Sequence, residues 1–347
     1  MLEGLEVSGG ALEHLEHLEH LEHLERMRVT LAIALVTAAC AQGNDRGGDA
    51  AAHDEGPLVV FNAGSLARPI RAALDSFAVR EGVRFEQEQA GSLETARKLT
   101  ELGRVPDIIA LADHQIFPQL LVPEHTAWYA RFAHNRMVLA HTARSRHADA
   151  ITPANWWQIV LRPGVETGHS DPDLDPAGYR ALLVMRLAER YYRQPGLAAR
   201  LERAVPPRNV RPKETDLVAL LETGELDYAF EYESVARGAS LDFVALPDSI
   251  SLGDMRGSAF YQQATVRIVG RRLGDSLTLR GEPIVYALSI PRRAAHPRLA
   301  ERFAMFMMSD DGRRILRANH LDALDSAAVA GEGAPVWLSE RRSPAAP

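Results

Sequence analysis

The stretch Leu58-Val59-Val60-Phe61-Asn62-Ala63-Gly64-Ser65-Leu66 passes from four apolar residues to a Gly-Ser pair, and apolar residues then recur at helical spacing over 69–81. An apolar run that ends at a turn predicts a buried strand, and the spacing after it predicts a helix. The Gly-Ser pair leaves the Ser65 hydroxyl and nearby backbone N–H groups beyond the strand end, which suits an anion. The stretch therefore predicts an α/β unit with an anion-binding turn.

A second Gly-Ser pair follows the next predicted strand. Residues 90–93, Ala-Gly-Ser-Leu, again place a small residue, a glycine and a serine ahead of a helix. Two matched turns indicate a shared ligand more strongly than one turn does. The alternative is that Ser65 and Ser92 only cap their helices, each contributing about 1 kcal/mol to stability.

The remaining chain continues to alternate short apolar runs with amphipathic segments, the pattern of an α/β fold. The whole chain of 347 residues is 46% hydrophobic and 24% charged, which is enough for two lobes. Because no long linker follows Pro57, we expect the lobes to share crossing strands. The predicted segments are 57–135 for the first part of lobe 1, 136–257 for lobe 2, 258–335 for the return to lobe 1, and 336–347 for a tail.

The residues before this fold are predicted to be targeting and linker sequence. Residues 1–26 contain four Leu-Glu-His repeats, whose period of three fits neither a helix nor a strand. We interpret them as an overlong or non-native extension, with a His-rich metal-binding arm as the alternative. Residues 27–41 have the basic start, apolar centre and small-residue end of a signal peptide, and 42–56 predict a flexible tether.

Cys40 is the one cysteine of the chain and ends the predicted signal peptide. Residues 37–40, Thr-Ala-Ala-Cys, resemble a bacterial lipobox, in which the cysteine carries a lipid anchor; residues 39–41 also fit an Ala-x-Ala cleavage site. We expect the lipid anchor and keep plain cleavage as the alternative. A single cysteine excludes an internal disulfide framework and a cysteine-based zinc site.

The charge balance excludes a nucleic-acid partner. The chain has 39 basic and 46 acidic residues, a net charge of −7, and residues 1–26 account for six of those seven negative charges. The part that follows is nearly neutral and lacks the basic excess of a nucleic-acid-binding protein.

Two acidic segments supply further candidate ligands. His169, Asp171, Asp173 and Asp175 lie close together, and Asp175 precedes a proline as a helix N-cap does. Capping explains one aspartate, whereas three indicate a loop arranged around a charge. Glu231 ends a predicted strand between aromatic residues, where it is either a ligand or a solvated strand-end acid.

These segments together resemble the molybdate/tungstate-binding proteins of ABC importers, in particular the subgroup with an octahedral oxyanion site. The resemblance extends over about residues 57–325. It implies a type II periplasmic binding protein, an α/β fold in which two lobes with crossing strands close on a ligand in the cleft between them. The segments that carry it are, in chain order, 61–66, 90–93, 133–141, 171–180 with its Asp-Pro-x-Gly-Tyr-Arg motif, and 227–236 with its Tyr-Ala-Phe-Glu-Tyr motif.

The resemblance also implies the binding site. Ser65 and Ser92 would hydrogen-bond oxyanion oxygens, while Asp175 and Glu231 would complete the coordination of the metal centre. Mo(VI) and W(VI) are hard Lewis acids that favour oxygen donors, and two carboxylate oxygens added to four oxo groups give six-coordination. Helix-start N–H groups would offset the charge without a lysine cluster.

The sequence departs from the family pattern at two positions. The usual cysteine of the Asp-Pro-Cys-Gly-Tyr-Arg motif is Ala177, and an expected Asp-Tyr pair is Asp113-His114. Asp171 and Asp173 lie so close to Asp175 that either is an alternative ligand.

The function implied is capture of tungstate or molybdate by a monomeric, non-enzymatic protein that needs no cofactor. It would act in the periplasm or outside the cell and deliver the oxyanion to an ABC permease and ATPase. The chain lacks a Gly-x-x-x-x-Gly-Lys-Ser/Thr loop, so the ATPase must be another protein. It would contact the membrane only through a lipid at Cys40.

Two other functions stay open. One is a carrier of another oxyanion, such as phosphate or sulfate, or of ferric ion. The ferric alternative stays open because several side chains here are good hard-metal ligands. A serine hydrolase would need Ser65 or Ser92 beside a histidine base, although neither serine lies in a Gly-x-Ser-x-Gly elbow. The hard-metal ligands are His169, Asp171, Asp173, Asp175, Glu231 and Tyr232, and the candidate bases are His114, His134 and His169.

Overall fold

The computed structural model describes residues 56–270 and 274–339. The extension, the signal peptide with Cys40, and the tether up to residue 55 therefore lie outside the described residues. The strands are β1 (Leu58–Ala63), β2 (Phe85–Ala90), β3 (Ile108–Leu111), β4 (Trp128–Asn135), β5 (Met137–His141), β6 (Thr167–Ser170), β7 (Val210–Arg211), β8 (Tyr228–Tyr232), β9 (Asp242–Ala245), β10 (Thr265–Val269), β11 (Ser276–Arg280), β12 (Ile284–Ser289) and β13 (Asp322–Gly331).

The helices lie between these strands and cover their faces. They are α1 (Ala67–Glu81), α2 (Ser92–Thr100), α3 (Trp156–Val160), α4 (Pro176–Tyr191), α5 (Leu197–Ala204), α6 (Thr215–Thr223), α7 (Glu233–Gly238), α8 (Asp248–Ser251), α9 (Ser258–Tyr261), α10 (Pro297–Met307), α11 (Asp310–Ala318) and α12 (Val336–Ser339). Short 3-10 turns occur at Gly64–Leu66, Pro207–Asn209 and Met255–Gly257, and a π-helical turn at Phe117–Leu121.

Lobe 1 is built on a six-stranded sheet in the order β13-β4-β12-β3-β1-β2. β1 pairs in parallel with both β2 and β3, and β12 runs antiparallel between β3 and β4. A strand with parallel neighbours and helices on both faces is buried on both sides. This explains the continuous apolar run at the start of β1, where Leu58 and Val60 have no exposed surface.

Lobe 2 is built on a five-stranded sheet in the order β7-β6-β8-β5-β9. β6 pairs in parallel with β7 and β8, while β5 runs antiparallel to β8 and β9. Strands β10 and β11 form a separate antiparallel hairpin, and β10 packs against α4 of lobe 2.

The chain crosses from lobe 1 to lobe 2 between β4 and β5. Only Arg136 separates the two strands, and the Asn135 side-chain amide donates to the hydroxyls of Ser234 at 2.7 Å and Tyr286 at 3.0 Å. These bonds join residues from both lobes at the crossing. The chain re-enters the sheet of lobe 1 with β12 at Ile284, and the segment assigned to a tail begins with helix α12, in which Leu338 is buried.

Five connections pass from the carboxyl end of a strand directly into a helix or turn. They follow β1 and β2 in lobe 1, and β6, β7 and β8 in lobe 2. Parallel strands present their carboxyl ends at one edge of a sheet, and ligands of α/β proteins bind outside that edge. The topology therefore brings the residues at these five connections to the cleft between the lobes.

Candidate functional site

Ser65 lies in the turn that joins β1 to α1. Its side chain is buried, and its hydroxyl accepts a hydrogen bond from the Tyr286 hydroxyl at 3.1 Å. A Cβ on the preceding Gly64 would lie 2.9 Å from a carboxyl oxygen of Glu214 in lobe 2, so a larger residue there would separate the lobes. Ser65 is therefore beside a carboxyl group of the opposite lobe.

Ser92 is the first residue of α2 and is fully buried. Its hydroxyl accepts a hydrogen bond from the Ala112 N–H at 3.0 Å. The N–H groups of Leu93 and Glu94 donate to the Leu174 carbonyl of lobe 2 at 3.1 and 3.3 Å. The sequence predicts free N–H groups at this helix start, but these two are already satisfied across the cleft. Any ligand contact here depends on Ser92 itself.

Asp175 is the N-cap of α4, as the sequence predicts. Its Oδ1 accepts a hydrogen bond from the Ala177 N–H at 3.4 Å, and its Oδ2 accepts one from the Glu214 N–H at 2.9 Å. Only 1% of its surface is exposed. Burial raises the pKa of Asp175 above its usual value, although the hydrogen bonds from the two N–H groups oppose this rise.

Glu231 lies within β8, and the alternative of a solvated strand-end acid is wrong because its exposed fraction is 0%. Its Oε2 accepts a hydrogen bond from the Tyr232 N–H at 2.9 Å. Its Oε1 is buried without a hydrogen-bond partner among the described residues. Burial, and then the charge of Asp175, raises the pKa of Glu231 well above its usual value.

Glu214 is a third buried acid, which the sequence analysis missed. It ends the connection from β7 to α6, and neither carboxyl oxygen has a hydrogen-bond partner among the described residues. Burial, and then Asp175 and Glu231, raises the pKa of Glu214 well above its usual value. Its position in the sequence could have indicated Glu214, because it lies between a strand and a helix, at the same kind of connection as Ser65 and Ser92.

The four residues singled out by sequence converge on this third acid. Glu214 approaches Gly64, next to Ser65, and its N–H binds Asp175. A Cβ on Gly91, next to Ser92, would lie 3.1 Å from the Asp175 Cβ. Glu231 raises the pKa of Glu214. The two serine turns of lobe 1 and the acids of lobe 2 therefore face the same part of the cleft.

The two alternative aspartates have structural partners elsewhere. Asp171 Oδ1 accepts a hydrogen bond from the Asp173 N–H at 2.9 Å, and Asp173 Oδ1 accepts one from the Val269 N–H at 2.7 Å. The first bond shapes the loop, and the second ties the loop to the β10–β11 hairpin. Asp175 is the aspartate that lies beside Glu214.

The candidate histidine bases do not contact either serine. His134 Nδ1 lies 3.4 Å from Asp322, His114 Nδ1 lies 3.7 Å from Asp113, and His169 Nδ1 lies 2.7 Å from the Ser170 carbonyl oxygen. Within residues 56–270 and 274–339, no group of three or more His, Cys, Asp or Glu side chains could hold a metal ion.

A buried ionic contact joins the lobes next to the site. Arg180 of α4 donates to the Ala112 carbonyl at 2.8 Å and the Tyr232 hydroxyl at 2.6 Å, and its guanidinium lies 3.4 Å from Asp113. The Tyr179 hydroxyl also donates to Asp113. Burial opposes ionisation of Asp113, but the positive charge of Arg180, together with His114 and the hydrogen bonds from Tyr179 and the Gln115 N–H, outweighs burial and lowers the pKa of Asp113. The Gly-Tyr-Arg part of the sequence motif thus joins lobe 2 to lobe 1.

Two α/β lobes with crossing strands and polar strand ends around one cleft define a two-lobed ligand-binding protein. Residues 58–322 match the sequence profile of the bacterial extracellular solute-binding proteins. The chain belongs to this family. Among the described residues, no helix combines the length and apolar character needed to cross a bilayer.

Relatives support this assignment. The chain is 45% identical to an uncharacterised solute-binding protein of Petrotoga mobilis, with 76% of this chain and 83% of the relative aligned. It is 36% identical to the molybdate/tungstate-binding protein WtpA of Pyrococcus abyssi, over 85% and 92% of the two chains. The periplasmic molybdate-binding protein of Azotobacter vinelandii superposes with a TM-score of 0.54 at 15% identity, over 76% and 98% of the two chains. This superposition confirms the predicted periplasmic binding protein fold.

The raised pKa of Glu214 predicts how stability depends on pH. The folded protein keeps a proton that the unfolded chain releases above its usual pKa near 4.5. Stability is therefore fully present below that pH and falls as the pH rises towards the folded-state pKa. Glu214→Gln removes this loss of stability. At pH 8 the ligand-free variant should therefore melt several degrees above the wild type, since each kcal/mol of added stability raises the melting temperature by about 2–4 °C.

Thermal melts at pH 4 and pH 8 test this prediction. At pH 4 the wild type and Glu214→Gln should melt at similar temperatures, because Glu214 is then protonated in the folded chain and mostly protonated in the unfolded chain. Asp216→Asn, at a half-exposed acid of the same helix, serves as the control and should show no comparable gain at pH 8. An equal gain at both pH values would contradict the prediction.

Proposed function

We propose that this protein binds tungstate or molybdate in the cleft and delivers it to an ABC importer. Ser65 and Ser92 hydrogen-bond oxo groups of the anion, and Asp175 and Glu231 donate carboxylate oxygens to its metal centre. The proposal is supported by the 36% identity to a molybdate/tungstate-binding relative and by the chemistry of the cleft.

The observation that carries the proposal is the buried carboxyl oxygen of Glu231, unpartnered among the described residues, in a cleft that also buries Asp175. Glu231 Oε1 is buried and has no hydrogen-bond partner within the described part of the chain. An unsatisfied buried polar group costs about 1–3 kcal/mol, and more when it is charged. A Lewis-acidic metal centre offsets this cost because it accepts electron density from the carboxylate.

An ordinary tetrahedral oxyanion does not offset the cost in the same way. Sulfate is fully deprotonated and offers only negative oxygens to a carboxylate, so the two groups repel each other. Mo(VI) and W(VI) favour oxygen donors and can add them to their four oxo groups. The acids therefore favour molybdate and tungstate over sulfate, whose sulfur does not readily expand its coordination.

The contacts of the serines favour binding over catalysis. A nucleophilic serine needs a base within hydrogen-bond reach, whereas Ser65 and Ser92 accept hydrogen bonds from Tyr286 and from the Ala112 backbone. These bonds fix the hydroxyl oxygens and leave each hydroxyl proton available to donate to an oxo group. Two fixed donors opposite two carboxylates suit an anion whose centre is a metal.

Ligand binding would close the lobes. The bonds from Leu93 and Glu94 to Leu174, and from Arg180 to Ala112, exist only when the lobes meet. A ligand held by serines of lobe 1 and acids of lobe 2 binds this arrangement better than an open one, and it therefore shifts the population towards closure.

The site of action and the partner follow from the family and the leader sequence. A signal peptide at 27–41 directs the protein out of the cytoplasm, where the closed, loaded monomer meets a permease coupled to an ATPase. We propose a lipid at Cys40 as the tether that keeps it near that permease.

Replacing Glu231 distinguishes coordination from simple anion binding. If the carboxylate is a ligand, Glu231→Gln should weaken tungstate binding at least tenfold, about 1.4 kcal/mol, because a neutral amide is a poorer donor to a hexavalent metal. If the carboxylate only lies near a tetrahedral anion, removing its charge leaves the affinity unchanged or improves it. Calorimetric titration with tungstate and molybdate measures the difference.

Three neighbouring variants control this titration. Asp175→Asn should also weaken binding, whereas Asp171→Asn and Asp173→Asn should leave it within about twofold because those side chains bond to backbone N–H groups away from Glu214. Tighter tungstate binding by Glu231→Gln would rule out the six-coordinate site.

Gly91 gives a test of closure. A Cβ at this position would lie 2.3 Å from the Leu174 carbonyl oxygen, so Gly91→Ala should prevent the lobes from meeting. Small-angle scattering should show that tungstate makes the wild type more compact and leaves Gly91→Ala unchanged. Gly82→Ala, which meets open space at a left-handed helix end, should lower stability but still close. Closure of Gly91→Ala would contradict the account.

A further inference from the structure

A cavity of about 410 Å³ opens to the surface beside the site. Both lobes line it: Ala67, Arg68, Gln89 and Asn319 belong to lobe 1, and Lys213, Asp216, Val235 and Gly238 to lobe 2. Its inner wall includes Gly64, Ser65 and Thr215. Ser65 lines both this cavity and the ligand site, and Thr215 directly follows Glu214 in the chain. The cavity therefore opens from the surface onto the Ser65 side of that site.

Arg68 lies at the opening of this cavity. Its side chain is exposed, and within residues 56–270 and 274–339 its guanidinium forms no ion pair or hydrogen bond. A Cβ on Gly238 of lobe 2 would lie 3.0 Å from Arg68 Nη1. The guanidinium therefore reaches from α1 across to the end of α7, with its charge uncompensated.

Lys213 lies on the opposite side of the same cavity and directly precedes Glu214. Its ammonium group is half-buried and is 3.6 Å from Asp216. Only one other lysine, Lys98, occurs in the chain, and it pairs with Glu88 and Glu94. The lining thus carries two positive charges and one negative charge, a local positive excess.

The positive charge at this cavity differs from the charge that a dianion meets elsewhere on the protein. Residues 27–347 are nearly neutral overall, and the site itself contains the acids Asp175, Glu214 and Glu231. A nearly neutral chain offers a dianion no long-range attraction, so a local field has to supply it. Charged clefts with low-dielectric walls raise association rates, by about 10- to 1,000-fold in strong cases, and salt suppresses the effect.

We propose that Arg68 and Lys213 form a cationic entrance that attracts the oxyanion into the cleft and sets its association rate. This role rests on the proposed function, since it presumes a dianionic ligand. The two residues lie outside the coordination sphere, so they accelerate capture without holding the bound anion. Dissociation is governed by the serines, the acids and lobe opening.

Stopped-flow measurement of tungstate association tests this proposal. Intrinsic fluorescence is the signal, and the measurement is repeated at several salt concentrations. Arg68→Gln combined with Lys213→Gln should lower the association rate constant about three- to tenfold at low salt and reduce its salt dependence. The dissociation rate constant should change less than twofold. Arg68→Lys combined with Lys213→Arg, which keeps both charges, should restore the wild-type rate.

Arg200→Gln together with Arg298→Gln is the matched control, because it removes the same charge from exposed positions away from the cavity. It should leave association within about twofold of the wild type. If the Arg68/Lys213 variant still binds tungstate and associates as fast as the control variant, the proposed role of Arg68 and Lys213 is wrong, whereas the proposed function is unaffected. No tungstate binding by the wild type would overturn the proposed function and the entrance with it.

Discussion

Three buried carboxyl groups lie in one cleft between the lobes, and the architecture around them follows from that constraint. Asp175, Glu214 and Glu231 come from different elements of lobe 2, and burial raises the pKa of each. Like charges at this depth are costly unless a partner offsets them. Gly64 and Gly91 allow lobe 1 to approach these acids closely, because neither carries a side chain that would meet Glu214 or Leu174.

The contacts that hold the lobes together lie beside the acids but use separate groups. Arg180 and Tyr179 reach Asp113, and burial makes that ion pair far less exposed to solvent and salt than a surface pair. Among the described residues, this ionic contact and the hydrogen bonds from Leu93 and Glu94 to the Leu174 carbonyl stabilise the closed arrangement, whereas the unpartnered carboxyl oxygens of Glu214 and Glu231 oppose it. A ligand that satisfies the acids changes this balance in favour of closure, which is how a binding protein couples occupancy to shape.

The sequence predicted the fold where hydrophobic pattern determined structure. The apolar run that starts at Leu58 predicted β1, and the helical spacing over 69–81 predicted most of α1. β6 was missed because its residues, Thr167–Ser170, are polar although buried. Helix-start chemistry singled out the serines and Asp175, and its place in a strand singled out Glu231; their roles as ligands stay predictions. Glu214 was missed because its burial depends on how β7 and α6 pack against lobe 1, which no local pattern records.

The coordination number of the bound metal tests the central claim most directly. Tungsten L3-edge X-ray absorption on the saturated protein would count the oxygen atoms around the metal and separate short oxo bonds from longer carboxylate bonds. The account predicts six oxygen ligands in the wild type and fewer in Glu231→Gln. Four equivalent oxygens in the wild type, as in free tungstate, would contradict it.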